Sequence, residues 1–249
     1  MTRTVLREAI DVPKQNGQQA VHFGFYKIDQ AWWDLPPRRR AELGGELLRL
    51  VERWSERLLL VTYSLAGIRA DCDLMFWKAA DSVDDIHEMG VEVARSGPGR
   101  YLRPAHAFLS LTKRSIYVRQ HRHEGQDGDR TKIAPVGAKY LFVYPFVKTR
   151  AWYALPLERR QAMMNEHIRV GHKYPRVKLN TTYSFGLDDQ EFVVAFETDH
   201  PSDFLDLVME LRETEATQYT QRDTPIFTCI RVEGPDLLRT LGVEVTQEA

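Results

Sequence analysis

The chain has 249 residues, 43% of them hydrophobic and 28% charged, a balance that supplies a buried core and excludes a disordered polyampholyte. Its 34 basic side chains are offset by 35 acidic ones for a net charge of −1. Bulk attraction to nucleic acid or anionic membrane is thereby excluded, and any anion site must be local.

After a polar lead, Ala20 to Ile28 alternates apolar and polar residues as a half-buried strand does. Pro36 and Pro37 then open a helix whose Leu43, Leu47, Leu50, Val51 and Trp54 share one face. Gly44 and Gly45 inside it predict either a close packing contact or a kink. Two strands are predicted at 58–65 and 73–79, separated by a loop carrying Gly67. Ser82 caps a helix with Val83, Ile86 and Val93 inward, Ser96-Gly97-Pro98-Gly99 ends it, and a strand at 105–112 completes the order βαββαβ.

The same order then repeats. Leu35-Pro36 matches Leu155-Pro156, Arg39-Arg40 matches Arg159-Arg160, and Tyr63-Ser64 matches Tyr183-Ser184, each at an offset of 120. Beyond a two-residue shift, Phe76 corresponds to Val194 and the strand around Phe108 to that around Ile226. Two copies of one supersecondary unit follow. The second is predicted to have strands at 139–146, 177–185, 190–198 and 225–232 and helices at 157–170 and 202–215. The last helix starts near Asp199 or Ser202 and turns Phe204, Leu207, Val208 and Leu211 inward. Each unit is a ferredoxin-like α+β sheet with both helices on one face, so the two should pack sheet to sheet around a shared core or cavity. The expected domains are 1–115, a polar linker or lid at 116–138, and 139–249.

The chemistry-bearing residues gather between Tyr144 and Pro175. Tyr144 ends a strand before Pro145, Lys148 and Arg150 are a basic pair, and Trp152 and Tyr153 an aromatic one. His167 shares a helix side with Met163 and Met164, with Gly171 one turn on and His172 as the competing histidine. No second His, Cys or carboxylate completes a zinc set, so a haem iron, which needs a single protein ligand, fits better than a structural metal. Lys148, Arg150 and Arg212 are cations near element ends, suited to a cofactor bearing carboxylates. Cys72 and Cys229 belong to no metal cluster and are expected as reduced thiols. His121-Arg122-His123-Glu124 in the linker is at most a weak metal motif. Nucleotide, serine-hydrolase and zinc-protease signatures are absent. With no leader and no apolar run of roughly 20 residues, a cytoplasmic protein without a membrane span is expected.

These residues resemble the chlorite dismutase family, and more closely its coproheme decarboxylase branch. The resemblance rests on Tyr144-Pro145-Phe146-Val147-Lys148 with Trp152-Tyr153, on Met163-Met164-Asn165-Glu166-His167, on Ser184-Phe185-Gly186-Leu187-Asp188-Asp189, and on Leu211-Arg212-Glu213-Thr214-Glu215-Ala216. It implies that the C-terminal unit binds the haem and the N-terminal unit is cofactor-free. His167 would be the proximal iron ligand and Tyr144 the tyrosine that attacks a propionate. Lys148 would lie close to the propionates, Arg212 and Thr217 would hold them, and Arg150, Met163 and Met164 would complete the cofactor contacts. The implied activity is hydrogen peroxide-dependent decarboxylation of two propionates of iron coproporphyrin III to give haem b, in a homo-oligomer such as a pentamer. Chlorite dismutation and non-catalytic haem binding are the alternatives. The distal arginine of chlorite dismutases has no counterpart in Val177-Lys178-Leu179-Asn180-Thr181, where either Leu179 or Asn180 could face the iron.

Overall fold

Alternation in β1 (Ala20–Ile28) divides the molecule into an inside and an outside. Val21, Phe23 and Phe25 enter one apolar cluster, while Ala20 and Ile28 join another on the opposite side. The structure, a computed structural model, describes residues 17–117 and 132–244. The His121–Glu124 motif and most of the predicted linker lie outside the described residues.

A single turn, α1 (Gln30–Trp33), is capped by the Asp29 carboxylate and leads into α2 (Pro37–Ser55). Strands β2 (Leu59–Ser64) and β3 (Leu74–Ala80), helix α3 (Val83–Arg95) and strand β4 (Leu102–Leu111) complete the first unit. Ser82 caps α3 by accepting from the Asp85 N–H at 3.2 Å, as its position predicts. The second unit repeats these elements: β5 (Tyr140–Lys148), α4 (Arg150–Ala154), α5 (Leu157–Gly171), β6 (Lys178–Tyr183), β7 (Phe192–Thr198) and α6 (Pro201–Arg212). Helix α6 begins at Pro201 after His200 without a side-chain cap, and it ends before the turn Glu215–Tyr219, earlier than its pattern suggests. The fourth strand of this unit is divided into β8 (Thr220–Arg222) and β9 (Phe227–Arg231), with Ile226 between the pieces. A short α7 (Pro235–Thr240) follows.

The nine strands of the described residues form one sheet in the order β7-β6-β4-β1-β3-β2-β9-β5-β8, and a further β7–β5 pairing closes it into a barrel. The two α+β units meet edge to edge through β4–β6 and β2–β9. Inside, Phe23, Phe25, Tyr63, Met75, Trp77, Leu141, Val143, Val193, Ala195 and Phe227 fill the barrel, so its centre is a packed core. The helices cover the outside, as the single apolar stripe of each requires.

Two details belong to the tertiary level. Residues from Val232 to Val243 cross back to the first unit, where Leu237, Leu241 and Val243 join the cluster under α2. The Trp32 indole donates to the Leu241 carbonyl at 2.8 Å. Gly44 is the close-packing glycine: a Cβ there would meet Val243 at 3.1 Å and Leu238 at 3.2 Å, and α2 runs through it as one helix. Cys72 and Cys229 are buried free thiols. Among the described residues no helix is long and apolar enough to cross a membrane.

Candidate functional site

The outer face of the second unit is built by alternation on three strands. On β5, Leu141 and Val143 enter the barrel while Phe142 and Tyr144 face out against the helices. On β7, Val193 and Ala195 point in and Val194 and Phe196 out. Registers of Tyr144 with Val194 and of Thr181 with Val194 carry the pattern to β6. Asn180 and Thr182 are therefore buried on the barrel side, where Asn180 donates to Glu197 at 3.0 Å. Leu179, 46% exposed, and Thr181 share the outer side with Tyr144. Of Leu179 and Asn180, Leu179 lies on the Tyr144 side of the sheet and Asn180 on the barrel side.

Tyr144 is 9% exposed, stacks on Phe196 at 6.1 Å between ring centroids, and makes no hydrogen bond through its hydroxyl among the described residues. Burial raises its pKa well above the ordinary phenol value, with smaller contributions from Asp223 (upward) and Arg212 (downward). The phenol is neutral at any ordinary pH. Arg212 pairs with Asp223 and is about half exposed, so these two opposite charges lie beside the tyrosine.

His167 projects from α5, half-buried, and its Nδ1 is buried without a hydrogen-bond partner among the described residues. Burial, and then the neighbouring Lys148 ammonium, lower its pKa to about 4. A neutral, uncommitted imidazole is what iron ligation requires, so this residue fits a haem group. The competing His172 is the exposed C-cap of α5.

Lys148 lies deeper than its position at a strand end suggests. It is 9% exposed, its Nζ donates to the Ala216 carbonyl at 2.7 Å, and it sits 4.7 Å from the centroid of the Trp152 ring. Burial lowers its pKa to about 8 against the opposing influence of Glu191. Met163 packs with Trp152 and Ala216, and Met164 lies at the edge of that cluster. Arg150 is 90% exposed and 3.5 Å from Glu191, and the Thr217 hydroxyl donates to the Leu211 carbonyl at 2.7 Å.

Glu191 is the site residue that pattern reading missed. Its Oε2 accepts from the Lys148 backbone N–H at 2.8 Å and from the Tyr153 hydroxyl at 2.5 Å, tying the end of β5 to α4. It stands in a hairpin with no periodicity around it; the only clue is its adjacency to the Asp188-Asp189 motif. Asp223, the partner of Arg212, was equally silent. Among the described residues no three His, Cys, Asp or Glu side chains converge as a metal-binding set.

The chain and its fold are similar to several known proteins. A coproheme decarboxylase of Mycolicibacterium smegmatis is 31% identical over 205 residues, spanning 81% of this chain and 86% of that one. Among solved structures, a chlorite dismutase variant from Candidatus Nitrospira defluvii superposes with a TM-score of 0.81 at 28% identity, covering 91% of this chain and 96% of the other. A haem-binding protein of Thermus thermophilus superposes at 0.79 with 25% identity, covering 93% and 99%. The family pattern described as chlorite dismutase matches residues 40–232, which include the first unit from within α2 onward, all strands and helices of the second unit from β5 to β9, and every residue discussed above from Tyr144 to Asp223. With the closed double-unit barrel, the matched span and the identity all in agreement, the chain belongs to the chlorite dismutase family.

Proposed function

We propose that the protein binds iron coproporphyrin III on the outer face of the second unit, against α5, and converts two of its propionates to the vinyl groups of haem b with hydrogen peroxide. The observation that carries this reading is the Tyr144 hydroxyl. It is neutral, unpaired among the described residues, and held on the sheet face that α5 and α6 cover. The porphyrin is the substrate: each R–CH2–CH2–COOH with one H2O2 gives R–CH=CH2, CO2 and two H2O, so two electrons leave each propionate and reduce one peroxide.

The iron, when bound, supplies oxidising power drawn from peroxide. The protein's residues do the rest. His167 offers a neutral imidazole to the metal, and the buried Lys148 beside it helps keep a proton off that ring. Tyr144 takes hydrogen from the β-carbon of the propionate lying against it, a transfer that depends on contact geometry more than on pKa. Arg212 is free to exchange Asp223 for a propionate carboxylate, since the two anions compete for one fork of donors. Thr217, Arg150, Met163 and Met164 line the remaining approaches, polar where carboxylates would lie and apolar against the ring.

The face of β6 favours this reading over chlorite turnover. Leu179 and Thr181, which share the side of Tyr144, carry no charge, whereas the resemblance implies an arginine there in chlorite dismutases. Lys178 has the opposite parity, opposite Glu197 in the strand register. The test is to load the purified protein with iron coproporphyrin III, titrate in peroxide, and follow the pigment by chromatography and mass spectrometry. Two successive losses of CO2 ending in haem b are expected. Bleaching without product, together with oxygen evolution from chlorite after loading with haem b, would overturn the proposal.

A further inference from the structure

The repeat places a cavity where the first unit departs from the second. In the second unit, the space between α6 and the sheet is filled by aromatic rings: Phe142 stacks on Phe204 at 4.1 Å and Phe196 lies 5.1 Å from it. Phe142 opposes Phe196 in the register of β5 with β7. The equivalent pair in β1 and β3 is His22 opposite Lys78, Ile86 stands for Phe204, and Gly24 stands for Tyr144. Smaller and polar residues thus open a cavity of about 370 Å³ between α3 and β1, β3 and β4.

Two features make this more than a packing gap. Lys78 is 2% exposed, and no carboxylate or hydrogen-bond acceptor pairs with it among the described residues. A buried ammonium without a counter-charge is destabilising unless something supplies one. His22, directly across the strand pair, has its Nδ1 buried and without a partner among the described residues. Its ring lies over Gly24, where an added Cβ would come within 2.8 Å of Cε1, so the glycine is what lets the imidazole occupy this position. Burial and the Lys78 charge hold the imidazole neutral, with its pKa lowered to about 3 against a weaker opposing effect of Asp188. Of the two other histidines of the wall, His106 is already engaged by Asp71 at 2.9 Å and His87 is exposed on α3.

We propose that this cavity binds a small organic carboxylate, its oxygens between the Lys78 ammonium and the His22 imidazole and its apolar body against Ile86 and Tyr26 under α3. One ammonium and one N–H donor match a monoanion. The cavity wall supplies no arginine, as a phosphate group would favour, and much of it is apolar. The site is separate from the porphyrin face, which belongs to the other unit, and does not depend on what that face does.

The probe is sodium benzoate, titrated into the full-length protein by calorimetry and ligand-observed NMR, with benzyl alcohol as the uncharged control. Benzoate should bind at least about ten-fold more tightly than the alcohol, the effect expected of one charge-assisted contact. Lys78→Met should remove that preference while folding normally, since it deletes a buried charge. Gly90→Leu is the second variant. Gly90 lines the cavity from α3, and a Cβ there meets nothing within 4 Å, so the larger side chain should plug the cavity without straining the helix. Absence of benzoate binding to the wild type up to about 10 mM, or unchanged binding in both variants, would overturn the proposal. So would a change of oligomeric state in Lys78→Met with no benzoate binding to the wild type, which would assign the counter-charge to a carboxylate of a second copy of the chain.

Discussion

Tyr144→Phe separates the tyrosine's packing from its chemistry. The ring is 9% exposed and stacks on Phe196 with an interplanar angle of 17°, contacts that phenylalanine keeps. The hydroxyl makes no hydrogen bond to the chain among the described residues, so its removal leaves no orphaned partner. The stability change should stay within about 1 kcal/mol in either direction, which for a chain of this size moves Tm by no more than about 2–4 °C. Porphyrin binding should be similarly preserved, because the residues assigned to the iron and the propionates are untouched. Decarboxylation, by contrast, loses the group that takes the hydrogen. A fall of at least about 10³-fold is expected, corresponding to roughly 4 kcal/mol of barrier. Both proteins would be loaded with iron coproporphyrin III to equal occupancy, checked by absorbance, and given stepwise peroxide while products are resolved by mass. A variant that yields haem b at the wild-type rate refutes the role of Tyr144. A variant that melts more than about 10 °C earlier refutes the reading of its hydroxyl as unpaired.

The other predictions concern the imidazole, the cation beside it and the C-terminal crossing. His167→Ala should abolish histidine ligation of the iron in the electronic spectrum, and added imidazole should restore it. The native state holds His167 neutral down to about pH 4, whereas an unfolded histidine protonates near 6.5. Stability of the porphyrin-free protein should therefore fall as pH drops from 6.5 towards 4, more steeply in the wild type than in His167→Ala, as read from urea midpoints. Lys148→Met should raise the His167 pKa yet leave it below 6.5, because burial is the larger cause; an imidazole titration by NMR that showed no rise would contradict the assigned coupling. Leu237→Ala removes a fully buried side chain of α7 from the first unit and should cost about 2–5 kcal/mol, seen as a lower urea midpoint with an unchanged slope.

The two α+β units were legible because their signals are local and repeated. Apolar spacing in α2 and alternation in β1 and β5 need only the geometry of helix and strand, and the matched pairs such as Leu35-Pro36 and Leu155-Pro156 double each reading. The motif from Met163 to His167 could be read for the same reason, since five consecutive helical residues fix their own relative directions. Boundaries were less legible. Helix α6 stops at Arg212, where a turn takes over, although Glu213 to Glu215 would suit a helix by composition.

The elements, their duplication and the chemical character of the residues around Tyr144 and His167 could be read along the chain alone, because they follow from spacing within one element. Everything that depends on two distant elements meeting was set by the folded barrel. Strand register sent Leu179 outward and Asn180 onto Glu197. Packing sank the Lys148 ammonium beneath Trp152 and brought Glu191 to the end of β5. The crossing of α7 put Leu241 under Trp32, more than two hundred residues away. Such contacts are selected by the total burial and hydrogen bonding of the closed barrel, a quantity that no window of the chain contains.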